Sequence, residues 1–99
     1  MLHIRKEIEN GSALFALSGR LDTVTAPALE TALDAALDGV ASLTFDFKEL
    51  DYLSSAGLRL LLSAQKRMNA QGEMKVVNVN EIIMEIFEVT GFTDVLTIA

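Results

Sequence analysis

The chain has 99 residues, of which 51% are hydrophobic and 22% charged, with no cysteine and a formal net charge of −6. That length holds one domain around one core, here 1–99, and the hydrophobic fraction argues against disorder. The acidic balance disfavours nucleic acid and anionic membranes, and no apolar run reaches bilayer-spanning length. Without cysteine there is no disulfide or thiol chemistry, and the opening "MLHIRKEIEN" lacks a signal-peptide core, so a cytoplasmic protein is expected.

From Leu2 to Ile8 apolar and polar positions alternate, broken only by Lys6, which reads as an edge strand with one wet face. "NGS" at Asn10 to Ser12 signals a turn into "ALFALSG", a strand apolar on both faces, so the first two strands form an antiparallel hairpin. Leu29, Ala32, Leu33, Ala36 and Leu37 then recur at helical spacing, with Thr25 as a plausible N-cap, Pro27 in the first turn and Gly39 as the stop. "SLTFDF" is a short strand, and "KELDYLSS" leads to a second helix from about Ser55 to Ala70. Its apolar face is Leu58, Leu61, Leu62, Ala64 and Met68. "MKVVNV" is a strand, and Asn80 caps a third helix with a stripe of Ile82, Ile83, Ile86 and Phe87 that Gly91 ends. "DVLTI" reads as a last short strand. The order β-β-α-β-α-β-α-β predicts a single α/β domain, a mixed central sheet of about five strands with three main helices and parallel right-handed crossovers.

Two readings fit the serines of "DYLSSAGLRLLL". Serine is a good N-cap, so Ser54 and Ser55 need do no more than begin a helix. The same place also offers unpaired amides and the positive end of the helix dipole, which accommodate a phosphate. Phosphorylation of an exposed hydroxyl there would add roughly −1.5 to −2 charges. Asp22 and Asp46 follow or end apolar strands, and in a parallel sheet such strand ends gather on the edge where the second helix starts. A local Asx turn with Thr23 or Thr25 explains Asp22 equally well, and a solvated strand position explains Asp46. Leu60 lies about 200° from Leu58 on the helical wheel, so with Arg59 it is a candidate partner contact or a contact to the neighbouring helix.

Serine-nucleophile enzymology is poorly supported. His3, the single histidine, falls on the wet face of the first strand, and "LSSAG" lacks the Gly-x-Ser-x-Gly elbow. The acidic residues lack metal-site spacing and the glycines form no phosphate loop, so neither metal, cofactor nor catalytic residue is expected.

Taken together, "LSGRLDTVTAPAL", "LTFDFKELDYLSSAGLRLLL", "QGEMKVVNV" and "IFEVTGFTDVL" resemble, in that order, the segments of a STAS domain of the stand-alone bacterial anti-sigma-factor antagonist type. The resemblance implies Ser55 as phosphoacceptor, Asp22 and Asp46 as its acidic neighbours, and Gly57 as the residue that permits close backbone packing. Ser54 stands where the commonest family motif has aspartate, and Ala56 where many members carry a second hydroxyl. It also implies the partners: an anti-sigma factor that is a serine kinase, supplying its own ATP, and a PP2C-like phosphatase, regulating sigma-factor-dependent transcription. The alternative it leaves open is a non-switching subunit of a lipid or anion transport complex or a stressosome-type assembly.

Overall fold

In the computed structural model, which describes residues 1–99, the strands β1 (Leu2–Glu9) and β2 (Ser12–Leu21) form an antiparallel hairpin. Both turn residues adopt positive φ, 49° at Asn10 and 80° at Gly11. That pairing of Asn with Gly suits the tight hairpin turn whose twist matches the strands it joins. The chain continues through α1 (Ala26–Ala36), β3 (Ser42–Leu53), α2 (Ser55–Gln71), β4 (Glu73–Val77) and α3 (Glu81–Thr90). The sheet order is β1-β2-β3-β4, with β2, β3 and β4 parallel.

One face of this sheet carries the core. Phe15 and Leu17 of β2, Phe45 and Phe47 of β3, and Val76 of β4 are buried, together with Leu29 and Leu33 of α1, Leu61 and Met68 of α2, and Phe87 of α3. Phe15, Phe45, Phe47 and Phe87 form a row with ring centroids 6.0–6.4 Å apart, and burying each such ring contributes about 1.5–3 kcal/mol. Helices cover that face alone. The outward residues of the other face, among them Leu14, Ala16, Thr44 and Asp46, are half-buried by their own neighbours. No helix is long and apolar enough to cross a membrane.

The fold departs from the sequence expectation in three places. The strand read as "SLTFDF" runs on to Leu53, because Leu50 and Leu53 are buried against the far end of β2 after a register shift beyond Ala16. The fifth strand shrinks to one parallel bridge between Val76 and Ile98. Phe92 stacks on Phe87 at 6.4 Å and 15°, holding residues Phe92–Asp94 in a short 3-10 turn, so only Thr97 and Ala99 reach the Val76 backbone, each at 2.9 Å. Finally, the α3 stripe is narrower than its periodicity: Ile83 and Phe87 are buried while Ile82 is 64% exposed.

Candidate functional site

The start of α2 is fixed by backbone and packing. Ser54, the N-cap, is extended (φ −94°, ψ 176°), and its N–H donates to the Leu21 carbonyl at 2.9 Å, which ties the end of β3 to the end of β2. The first helical bond runs from the Leu58 N–H to the Ser54 carbonyl at 2.9 Å. The amides of Ser55, Ala56 and Gly57 precede it, so the helix begins with free donors and the positive end of its dipole. Gly57 is buried. A Cβ there would lie 2.5 Å from Leu53 Cδ1 and 2.9 Å from Leu21 Cγ, so the helix seats on the strand ends only because this position has no side chain.

The two serines divide. Ser55, the first residue of α2, is exposed. The Ser54 hydroxyl makes no capping bond; its Oγ is buried and has no hydrogen-bond partner. Neither serine therefore acts as the side-chain cap that residue type alone would suggest.

Across the Leu21–Ser54 bond lies the Asp22 turn. Asp22 Oδ1 accepts from the N–H groups of Val24 (3.0 Å) and Thr25 (3.1 Å) and from the Thr25 hydroxyl (3.1 Å). The Thr25 hydroxyl also lies 2.8 Å from the Arg20 carbonyl and accepts from the Asp22 N–H at 2.9 Å. Thr25 thus occupies the N-cap position of α1, but its hydroxyl is spent on knitting this turn and makes no capping bond to the helix. The Thr25 N–H above all holds the Asp22 carboxyl below its ordinary range, with smaller help from the Thr25 hydroxyl, the Val24 N–H and Arg20. Arg20 Nε stands 3.6 Å from Asp22 Oδ2, and its guanidinium lies 4.2 Å from the centre of the Tyr52 ring. Val24 is 86% exposed.

The structure brings Asp22, Ser54, Ser55 and Gly57 to one end of the molecule, and Arg59 is exposed nearby, in a shallow depression shared with Thr23, Pro27 and Ala56. One expected member of the site is elsewhere. Asp46 sits on the uncovered sheet face, level with Ala16 and Val77. Leu53 lies seven positions further along β3, about 23 Å at strand rise. Its Oδ1 accepts from the Lys48 N–H at 2.9 Å and from Asn78 Nδ2 at 3.0 Å, and the Lys48 N–H is the main cause of a lowered carboxyl pKa. β4 ends level with Asp46 while β2 and β3 continue, so the strand ends are staggered and the two aspartates part. Leu60 is only 8% exposed; it lines the seam between α1 and α2 with Leu33 and Leu37 and also reaches the depression that holds Arg59, where it offers little surface to a partner. Arg20, Tyr52 and Val24 were not legible as site residues: their proximity depends on the register that pairs Arg20 with Tyr52.

A family profile for the STAS domain matches residues 3–99. The chain belongs to the STAS family. The anti-sigma factor antagonist BtrV of Bordetella bronchiseptica, so described by similarity, is 34% identical over 92 residues, a match that covers 91% of this chain and 79% of BtrV. The crystal structure of an anti-sigma factor antagonist from Mycobacterium paratuberculosis matches with a TM-score of 0.89 at 26% identity, over 99% of this chain and 85% of that one. The Bacillus protein SpoIIAA shares the fold at 19% identity, with TM-scores of 0.84 for its unphosphorylated and 0.76 for its phosphorylated form. Each form is matched over 98% of this STAS domain, and the match covers 88% and 91% of the respective SpoIIAA chains.

Proposed function

We propose that this STAS domain is a phospho-regulated antagonist of an anti-sigma factor. In the unmodified state, the end of the molecule that carries Ser55, the Asp22 turn and Arg59 docks on an anti-sigma factor with serine kinase activity, and the sigma factor is released for transcription. The kinase then transfers a phosphoryl group from its own ATP to Ser55 Oγ: the new O–P bond replaces the bond to ADP, and the hydroxyl proton passes to a base of the kinase. A PP2C-like phosphatase hydrolyses the phosphoester and resets the domain.

The observation that carries this reading is the exposed Ser55 hydroxyl on the first turn of α2, beside amides with no backbone partner. Phosphate there adds a dianion at the end of the molecule that already carries the ionised Asp22 carboxylate, and an interface that accepted a neutral hydroxyl must then desolvate that charge. About 1.4 kcal/mol of differential binding changes affinity tenfold, so a local charge suffices without refolding. That SpoIIAA has been solved in a phosphorylated form supports a modified state in this fold.

The test is incubation with a cognate kinase and ATP, followed by mass spectrometry. One phosphate on Ser55 is expected, Ser55→Ala should keep partner affinity, and Ser55→Asp should weaken it about tenfold or more. Phosphate placed solely elsewhere, or equal binding by the two variants, would reject the switch and leave the non-switching assembly subunit as the better reading.

A further inference from the structure

The face of the sheet opposite the helices remains uncovered although three of its four strands run parallel, and parallel sheets are ordinarily covered on both sides. Pairing register fixes which residues point outward there. One row across the sheet is Arg5, Ala16, Asp46 and Val77, and the next is Glu7, Leu14, Thr44 and Lys75. Along β1 the outward charges therefore divide, His3 and Arg5 towards one end and Glu7 and Glu9 towards the other. Two shallow grooves mark these halves: His3, Arg5 and Lys48 line one together with Asp46 and Glu49, and Glu7 and Glu9 line the other together with Lys75.

We propose that this face binds a second copy of the same chain, stacked about a two-fold axis perpendicular to the strands. That rotation lays β1 over its counterpart in reverse, so Arg5 of each copy meets Glu7 of the other, and His3 meets Glu9. It also sets the apolar Leu14 over Ala16 near the centre. A two-fold along the strands would instead lay β1 over β4, which sets Glu7 against Lys75 but also Glu9 against Glu73, two like charges, and leaves Arg5 facing only Val77. The first arrangement alone gives both Arg5 and Glu7 an opposite charge to face. Within one copy the Arg5–Glu7 pair is long, 3.8 Å, with both side chains about two-thirds exposed; such a pair holds its members weakly and leaves them free to exchange partners. Four strands of this length present roughly 500 Å² per copy at ordinary strand spacing. The total, about 1,000 Å², sits at the lower limit for specific association, so the dimer is weak and reversible. Because α2 packs on the opposite face, the dimer leaves Ser55 accessible, and the inference stands or falls apart from the phosphorylation reading.

The test is sedimentation of the full chain from about 10 μM to about 1 mM, bracketing a micromolar-to-millimolar dissociation constant. A concentration-dependent dimer is expected, tighter at low salt. R5E alone and E7R alone should each weaken it about tenfold or more, because like charges then face one another twice. An equimolar mixture of R5E and E7R should recover the dimer, since two acidic groups of one copy then face two basic groups of the other. L14R should abolish it through the apolar centre, and circular dichroism verifies that every variant is folded. A monomer mass throughout the range, a dimer indifferent to these substitutions, or a mixture that stays monomeric would overturn the proposal.

Discussion

Ser54→Ala separates residue type from geometry. Serine at an N-cap ordinarily accepts a bond from a first-turn amide, and its replacement by alanine costs about 1 kcal/mol, with a range of about 0.5–2. Here the hydroxyl makes no such bond, and its oxygen is buried with no partner at all. A desolvated polar group left unpaired costs about 1–3 kcal/mol, whereas the void left by one oxygen offsets only part of that. The expected result is therefore a neutral to stabilising change, from 0 to about 1 kcal/mol, where the positional rule gives a loss. Urea unfolding followed by far-ultraviolet circular dichroism reads the difference. With a slope of about 1–1.5 kcal/mol per molar for a domain of this size, the midpoint should stay in place or rise by up to about 1 M. Ser55→Ala is the control: an exposed position outside any bond should stay within about 0.5 kcal/mol. A fall of the Ser54→Ala midpoint by about 1 M would refute the reasoning, because it would mean that the hydroxyl caps α2 in solution.

Two further outcomes follow from the same geometry. Gly57→Ala gains up to about 1 kcal/mol of helix propensity, but its Cβ would be forced against Leu53 and Leu21, which are 2% and 0% exposed and have no room to retreat; overpacking of that kind costs about 1–3 kcal/mol. A lower thermal midpoint is expected, partly restored by adding Leu53→Val, and an unchanged or higher midpoint would show that α2 does not seat where described. The carboxyls of Asp22 and Asp46 are both held below their ordinary pKa, chiefly by the backbone N–H groups of Thr25 and Lys48. Their stabilisation is fully present above the unfolded-state carboxyl pKa and is lost as pH falls through the lowered folded values. Carboxyl-detected NMR titration should give midpoints below 3.8 for both, and Asp46→Asn should flatten the acid limb of stability; a midpoint at or above the ordinary value would remove the assigned hydrogen bonds.

The architecture was largely legible because hydrophobic period and turn chemistry agreed along the chain. Asn10-Gly11 placed the hairpin, Asn80 capped α3 by accepting from the Ile83 N–H at 2.9 Å, and Gly91 ended it with a φ of 80°. Local pattern failed where the outcome depends on what a segment meets. Leu60 lies off the main stripe of α2 but is buried because α1 supplies a second wall. Ile82 lies on the stripe of α3 and is exposed because nothing supplies one. The last strand was lost to an aromatic stack between Phe87 and Phe92, a contact that periodicity does not encode. Asp46 was misplaced by treating parallel strand ends as level: β3 continues seven residues beyond it, and only register reveals that stagger.

The same stagger explains how one small sheet can keep two surfaces apart. β2 and β3 outrun β4, and their ends are tied by the Leu21–Ser54 bond, so the turn that holds Asp22 and the helix start that holds Ser55 lie beyond the end of β4. Negative charge added to Ser55 meets first-turn amides and the positive end of α2, which favour it by about 0.3–1 kcal/mol, while the nearby Asp22 carboxylate opposes it. Under the proposed switch these opposing local terms offset one another in part within the domain. A docked partner has no such compensation, since it must desolvate the phosphate and the carboxylate together. Under the proposed switch, the added charge would therefore act on association and not on the fold of this domain with its single core.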